Sequence, residues 1–184
     1  MASPLELRLT AQAEAALDPD VRASLVAEIA CYLARVGQFE EAERLRKQLR
    51  EVYGDGRSMG VSILLMVLDS LLLFFKELSP GSRDRMARAN LIAVASGNQR
   101  WISLTSAWLA HIDFNLNQFE IMAREISATL DAIGGDDGTA ECRVALVLGD
   151  AFLFCGAFAP SQRWYERARL VANRLGDQAA VCAL

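Results

Sequence analysis

The sequence is short of the residues that carry most chemistry. Its 184 positions hold one His and four Cys. Cys31, Cys142, Cys155 and Cys182 form no Cys-x-x-Cys pair, so a zinc site, which gathers several such ligands at close spacing, is not expected. The four thiols read as small hydrophobes in a reducing, cytoplasmic setting rather than as a disulfide framework. With 12 Gly and four Pro, the chain is neither collagen-like nor loop-dominated. A positive surplus is also missing. Lys plus Arg is 19 against 23 Asp plus Glu, a formal charge of -4. Nucleic acid is therefore not expected as a partner, because gripping a phosphate backbone takes clustered cations. The longest apolar run, Val61 to Phe75, contains Asp69. It falls short of the ~18–20 residues that span a bilayer. A mid-span carboxylate would also cost about 2.5–3.5 kcal/mol. No membrane partner is expected, and the run reads as a helix covered by protein. The start, Met1-Ala2-Ser3-Pro4-Leu5-Glu6, lacks the basic and apolar regions of a secretory signal.

What is present is apolar helix-forming sequence. At 53% hydrophobic and 23% charged, the chain is not disordered. Its length fits one domain or one repeat array. Strand alternation is absent, helical periodicity runs nearly throughout, and turn signals recur every 15 to 20 residues. Ser3-Pro4-Leu5-Glu6 is a helix start, with Ser as cap, Pro at the first position and Glu three residues after the cap. Helices are expected from there to about Leu17, from Pro19 or Asp20 to Val36, from Phe39 to Tyr53 and from Ser58 to Leu78. Five more follow: from Ser79-Pro80 to near Gly97, from Asn98 to near Asn117, on to about Ile133, from Thr139 to Cys155, and from Ala159-Pro160 to Leu175. Asp177 looks like the cap of a tenth, whose apolar pattern to Leu184 has no stop signal, so a longer parent protein is expected.

Three stretches align, beginning at Ile29, Leu109 and Leu148. Each has an apolar-small pair (Ile29-Ala30, Leu109-Ala110, Leu148-Gly149), a turn residue seven positions after the small one (Gly37, Asn117, Gly156), and Phe two further on (Phe39, Phe119, Phe158). The small residue lets two helices approach, the turn residue suits a left-handed conformation, and the Phe is expected to fill the hairpin corner. Ala42 supplies a small contact on the following helix, where Met122 and Ser161 stand in the other two units. Gly37 and Asn117 are 80 residues apart, two units of 40, and Asn117 and Gly156 are 39 apart.

These features resemble the tetratricopeptide repeat family, in a variant with a period near 40 rather than the usual ~34. Such long-period repeats are similar to those of bacterial signalling and transcription regulators. The resemblance implies an all-α, superhelical array of antiparallel helix hairpins, forming a single domain over 1–184. Repeats would lie near 20–54, 58–97, 99–135 and 139–175, preceded by an N-terminal helix, with 177–184 opening a further, truncated one. The unit at 58–97 lacks the turn-Phe signature.

The resemblance also implies that the first helix of each hairpin lines a concave groove. The lining would include Arg35; Leu64, Val67, Leu71, Phe74 and Phe75; Leu104, His111, Phe114 and Asn115; and Arg143, Leu146, Asp150 and Phe154. So apolar a lining suits an amphipathic helix or an extended hydrophobic segment; equally, Leu71, Phe74 and Phe154 could be core. The expected function is a non-catalytic protein or peptide interaction scaffold, the regulatory or sensor part of a larger protein. The alternatives are a module that senses a ligand or signal peptide, and a homodimerisation domain with Leu64, Leu71, Phe74 and Val181 to Leu184 as contacts.

Catalytic, metal and cofactor residues are not expected. His111 has only Asp113 nearby in sequence, on a different helix face. Asp69 is expected to pair with an Arg of a neighbouring helix, Arg100 or Arg35. Gly134-Gly135-Asp136-Asp137-Gly138 lacks the spacing of a phosphate or calcium loop and reads as a linker. Arg44, Arg46, Lys47 and Arg50 alternate with Glu40, Glu41, Glu43 and Glu51, as on a solvated helix face. Arg83, Arg85 and Arg88 enclose Asp84 and are too weak a cluster for nucleic acid.

Overall fold

The computed structural model describes residues 2–132 and 138–182, and among them there is no strand. The helices are α1 (Pro4–Ala15), α2 (Pro19–Arg35), α3 (Phe39–Tyr53), α4 (Met59–Phe75), α5 (Gly81–Ser96), α6 (Gln99–Asn115), α7 (Phe119–Ala132), α8 (Gly138–Phe154), α9 (Phe158–Leu175) and α10 (Gln178–Cys182). The expected all-α class and its hairpins are therefore present. Helix starts follow the capping chemistry. The Ser3 hydroxyl accepts from the Glu6 amide at 3.1 Å, and the Glu6 carboxylate accepts from the Ser3 amide at 3.3 Å. Asp18 caps α2 and Asn98 caps α6 in the same sense. The Asp177 carboxylate accepts from the Ala180 amide at 3.1 Å. The loop Gly134 to Asp137 lies outside the described residues, as do Ala183 and Leu184.

The three aligned turns are one turn repeated. Gly37, Asn117 and Gly156 have φ of +79°, +58° and +73°. In each, the next amide reaches back five residues: Gln38 to the Leu33 carbonyl at 2.9 Å, Gln118 to Asp113 at 2.8 Å, and Ala157 to Phe152 at 2.8 Å. The divergent unit keeps the left-handed residue but spends it on Leu78, at φ +50°. There the Ser79 amide bonds the Leu73 carbonyl, six residues back, so the turn is one residue longer. The unit at 58–97, which lacks the turn-Phe pattern, is the one with this longer turn.

Tertiary contacts gather into two compact units, Met1–Ile92 and Ala93–Leu184, with the boundary inside α5. In the first, α2 packs on α1, α3 and α4. Ala27, Ala30 and Ala34 of α2 are fully buried, and their small size suits close helix packing. On α4, Ile63, Leu64, Val67, Leu68 and Leu71 are buried, each stabilising the unit by about 1.5–3 kcal/mol. In the second unit, α6 packs on α7 and α8, α8 on α9, and α9 on α10. One cluster joins Ala107 and Ala110 of α6 to Met122 and Ile126 of α7 and to Val144 and Val147 of α8. Another joins Cys142 and Ala145 of α8 to Ala168, Val171 and Ala172 of α9 and to Ala180 of α10. Gly149 allows the tightest approach: a Cβ there would lie 2.5 Å from Tyr165 Cε1. Ser161, at the repeat position of Ala42, is buried and donates to the Gly149 carbonyl at 2.9 Å.

Asp69, 7% exposed, does pair across helices, but with α3. Arg46 Nη1 lies 3.3 Å from Oδ1, and the Arg50 guanidinium holds Oδ2. Neither Arg35 nor Arg100 takes that place, and Arg46 and Arg50 do more than solvate α3. The reason is spacing: residues four apart share one face of α3, and that face meets α4.

Two outcomes are expected in denaturant unfolding. Leu78 is 83% exposed, so Leu78→Gly loses no packing and relieves a left-handed Leu; the unfolding midpoint rises by the equivalent of about 0.5–1 kcal/mol. Removing Arg46 and Arg50 together leaves a buried, unpaired carboxylate and costs about 3–5 kcal/mol, whereas Asp69→Leu frees half-exposed arginines to reach water and costs less than about 1 kcal/mol.

Candidate functional site

In the first unit the expected lining is mostly core. Leu64, Val67 and Leu71 are buried, so they offer no groove surface. Phe74 and Phe75 are half-buried and meet edge to face, with centroids 4.9 Å apart. Arg35 is half-buried, with its guanidinium 5.8 Å from the Tyr32 ring. The half-buried Cys31 thiol faces the Leu64 carbonyl at 3.8 Å, and desolvation pushes its pKa up.

The second unit keeps more of the expected set at its surface. Leu146 is the exception, buried with the cluster of α8, α9 and α10. Leu104, His111 and Arg143 are half-buried. The Arg143 guanidinium sits 4.1 Å over the Trp108 ring, a cation–π contact, and His111 meets the same ring edge-on at 5.5 Å. Phe114, like Leu148 and Ala151, packs against the cluster of α6, α7 and α8, and its ring centroid lies 5.9 Å from that of Phe119. Exposed Asn115 donates from Nδ2 to the His111 carbonyl at 2.8 Å. Asp150 accepts from the Tyr165 hydroxyl at 2.6 Å. Phe154 is 72% exposed and stacks obliquely on Phe119 at 5.6 Å.

The α8–α9 corner departs from the expected pattern. Phe158 does not fill it: the ring is 72% exposed, beside Leu153 at 47%. In the preceding hairpin Phe114 and Phe119 have α8 residues against them. At the α8–α9 corner, α10 packs toward the far end of α9 instead. Leu153 and Phe158 therefore line a groove of about 480 Å³ along α9 with Ser161, Gln162, Tyr165, Glu166 and Arg169. The aligned Phe motif flagged Phe158 in the sequence, but as packing, whereas the repeat resemblance placed Leu153 among the inward-facing residues of the fourth hairpin. A second groove, about 370 Å³, lies between Leu130, Val144, Ala145 and Trp164, with Glu141 and Arg167 at its rim. Those two rim charges pair with each other, and Arg174 joins Glu141 at 3.4 Å.

Among the described residues, no three His, Cys, Asp or Glu side chains are placed to hold a metal ion. No helix among them is long and apolar enough to cross a membrane.

Burial and the bond to Asp150 push the Tyr165 hydroxyl up to about 12. A phenol whose folded pKa exceeds its unfolded value of ~10 stabilises the fold below that value and loses the contribution as pH rises toward the folded one. Between about pH 10 and 12, wild-type stability should fall more steeply than that of Tyr165→Phe, as read by urea midpoints across that range.

Compared with family models, curated proteins and solved structures, the chain matches none, so its own fold and side chains carry the functional argument.

Proposed function

We propose that this chain is a tetratricopeptide-like interaction module, a non-catalytic scaffold that takes a segment of another protein at the α8–α9 corner. One observation carries the reading: Leu153 and Phe158 stand exposed along one groove at the α8–α9 corner, and Phe154, next to Leu153 in the chain, is exposed and stacked on Phe119. Aromatic side chains of ~150–250 Å² each make the exposed apolar area roughly 400 Å², enough to mark a binding surface. A stable dimer needs ~800 Å² from each partner, so the patch fits a single docked segment better than a second subunit. Within the resemblance to regulatory repeat proteins, such a module would recruit or restrain a signalling partner.

The side chains are already in water, so Phe158→Glu should change stability by less than about 0.5 kcal/mol. The same substitution should abolish retention of the native partner in affinity purification from source cells, while light scattering gives a monomeric mass for wild type. Identical captured proteins for wild type and variant would defeat the reading. A dimeric mass that disappears in Phe158→Glu would replace it with self-association.

A further inference from the structure

The groove of about 370 Å³ takes its lining from three successive helices: Leu130 of α7, Glu141, Val144 and Ala145 of α8, and Trp164 and Arg167 of α9. It is bounded by helices inside the array, and it shares no lining residue with the groove at the α8–α9 corner. Val144 and Ala145 are buried, Trp164 is half-buried and Leu130 is exposed, so the lining grades from core to water. Its volume falls within the ~300–1,000 Å³ of small-molecule sites. At about 30 Å³ for each water-sized group, it holds roughly a dozen heavy atoms.

Charge decides what suits it. Arg167 donates from Nε to Glu141 Oε1 at 2.7 Å. Arg174, seven residues on and so on the same side of α9, reaches Glu141 Oε2 at 3.4 Å. A smaller hollow, lined also by Leu170 and Val171, continues past this trio. Two exposed guanidiniums thus share one carboxylate, and neither has a second ionic partner among the described residues. Each guanidinium carries five N–H donors, far more than Glu141 can accept. The trio keeps one positive charge in excess, at the edge of an apolar trough.

We propose that this groove binds a small aliphatic carboxylic acid, with its chain against Leu130, Val144, Ala145 and Trp164 and its carboxylate at Arg167 and Arg174. The site lies apart from the interaction surface at the corner and goes beyond that reading. An unbranched acid of about eight to ten carbons has roughly ten to twelve heavy atoms, which matches the volume. Guanidinium forks hold carboxylates through paired N–H donors, so the surplus charge selects an acid over an alcohol or an amine. Glu141 holds the two arginines beside the trough and competes with the ligand for them.

The probe is sodium octanoate, kept below its micelle concentration and titrated into the whole chain by isothermal calorimetry, with octanol and octylammonium as neutral and cationic controls. Saturable one-to-one binding is expected, at least about tenfold tighter than for either control. Arg167→Gln should weaken octanoate at least about fivefold while changing octanol less than about twofold. Glu141→Gln should tighten octanoate about threefold or more, because both guanidiniums lose their internal partner. Leu130→Asp, at an exposed position, should weaken octanoate and octanol alike, and urea midpoints check that each variant is folded. Phe158→Glu should leave octanoate binding unchanged, so failure here leaves the scaffold reading standing, and loss of partner capture says nothing against this site. Absence of saturable binding, octanol or octylammonium bound as tightly as octanoate, or binding indifferent to Arg167→Gln and Glu141→Gln overturns the proposal. Binding lost in Phe158→Glu would move the acid to the corner and overturn it as well.

Discussion

How closely two helix backbones can approach decides what is core and what is surface in this protein. Ala27, Ala30 and Ala34 make the buried side of α2 nearly smooth, and the large side chains of α4 are buried in the same unit. Ala107 and Ala110 play the same part on α6. At Gly149 even a methyl group would collide with Tyr165, which is held by its bond to Asp150. Helices packed this way leave no room for a groove lined by Leu64, Val67 or Leu71. Apolar side chains are left exposed where no described helix covers a hairpin face.

The same geometry explains the polar exceptions. Asp69 sits in the most apolar helix of the chain, yet α3 brings two guanidiniums four residues apart to its carboxylate. Each cation keeps contact with water while the acid is enclosed, so the desolvation cost falls mainly on one group. Ser161 satisfies its hydroxyl at the Gly149 carbonyl in a place where Ala42 stands in the first repeat. The α8–α9 hairpin thus keeps its closest backbone contact with a polar residue at the seam. Among the described residues no helix lies against its aromatic corner, and Leu153, Phe154 and Phe158 are exposed there.

Local chemistry was legible in the residue order because it depends on neighbours within one turn. The Ser3 capping box, the Asp18 and Asn98 caps and the left-handed Gly37, Asn117 and Gly156 need only short-range steric and hydrogen-bonding rules. The left-handed Leu78 was not legible, because no propensity assigns that conformation to Leu; the flanking helices impose it. Of the expected groove residues, Leu146 belongs to a core completed by α9 and α10, whereas Phe154 is open to solvent. Both are apolar residues on the same helix, eight positions apart, and hydrophobic periodicity treats them alike.

The amino-acid sequence by itself determined that the chain is helical, where the capped helices and the three aligned turns lie, and that hairpins recur about every forty residues, since spacing and cap chemistry act locally. Tertiary structure alone decided which apolar residues face a neighbour and which face water, and which arginines reach Asp69. Those outcomes depend on the distance between backbones far apart in the chain, a quantity no single stretch of sequence encodes.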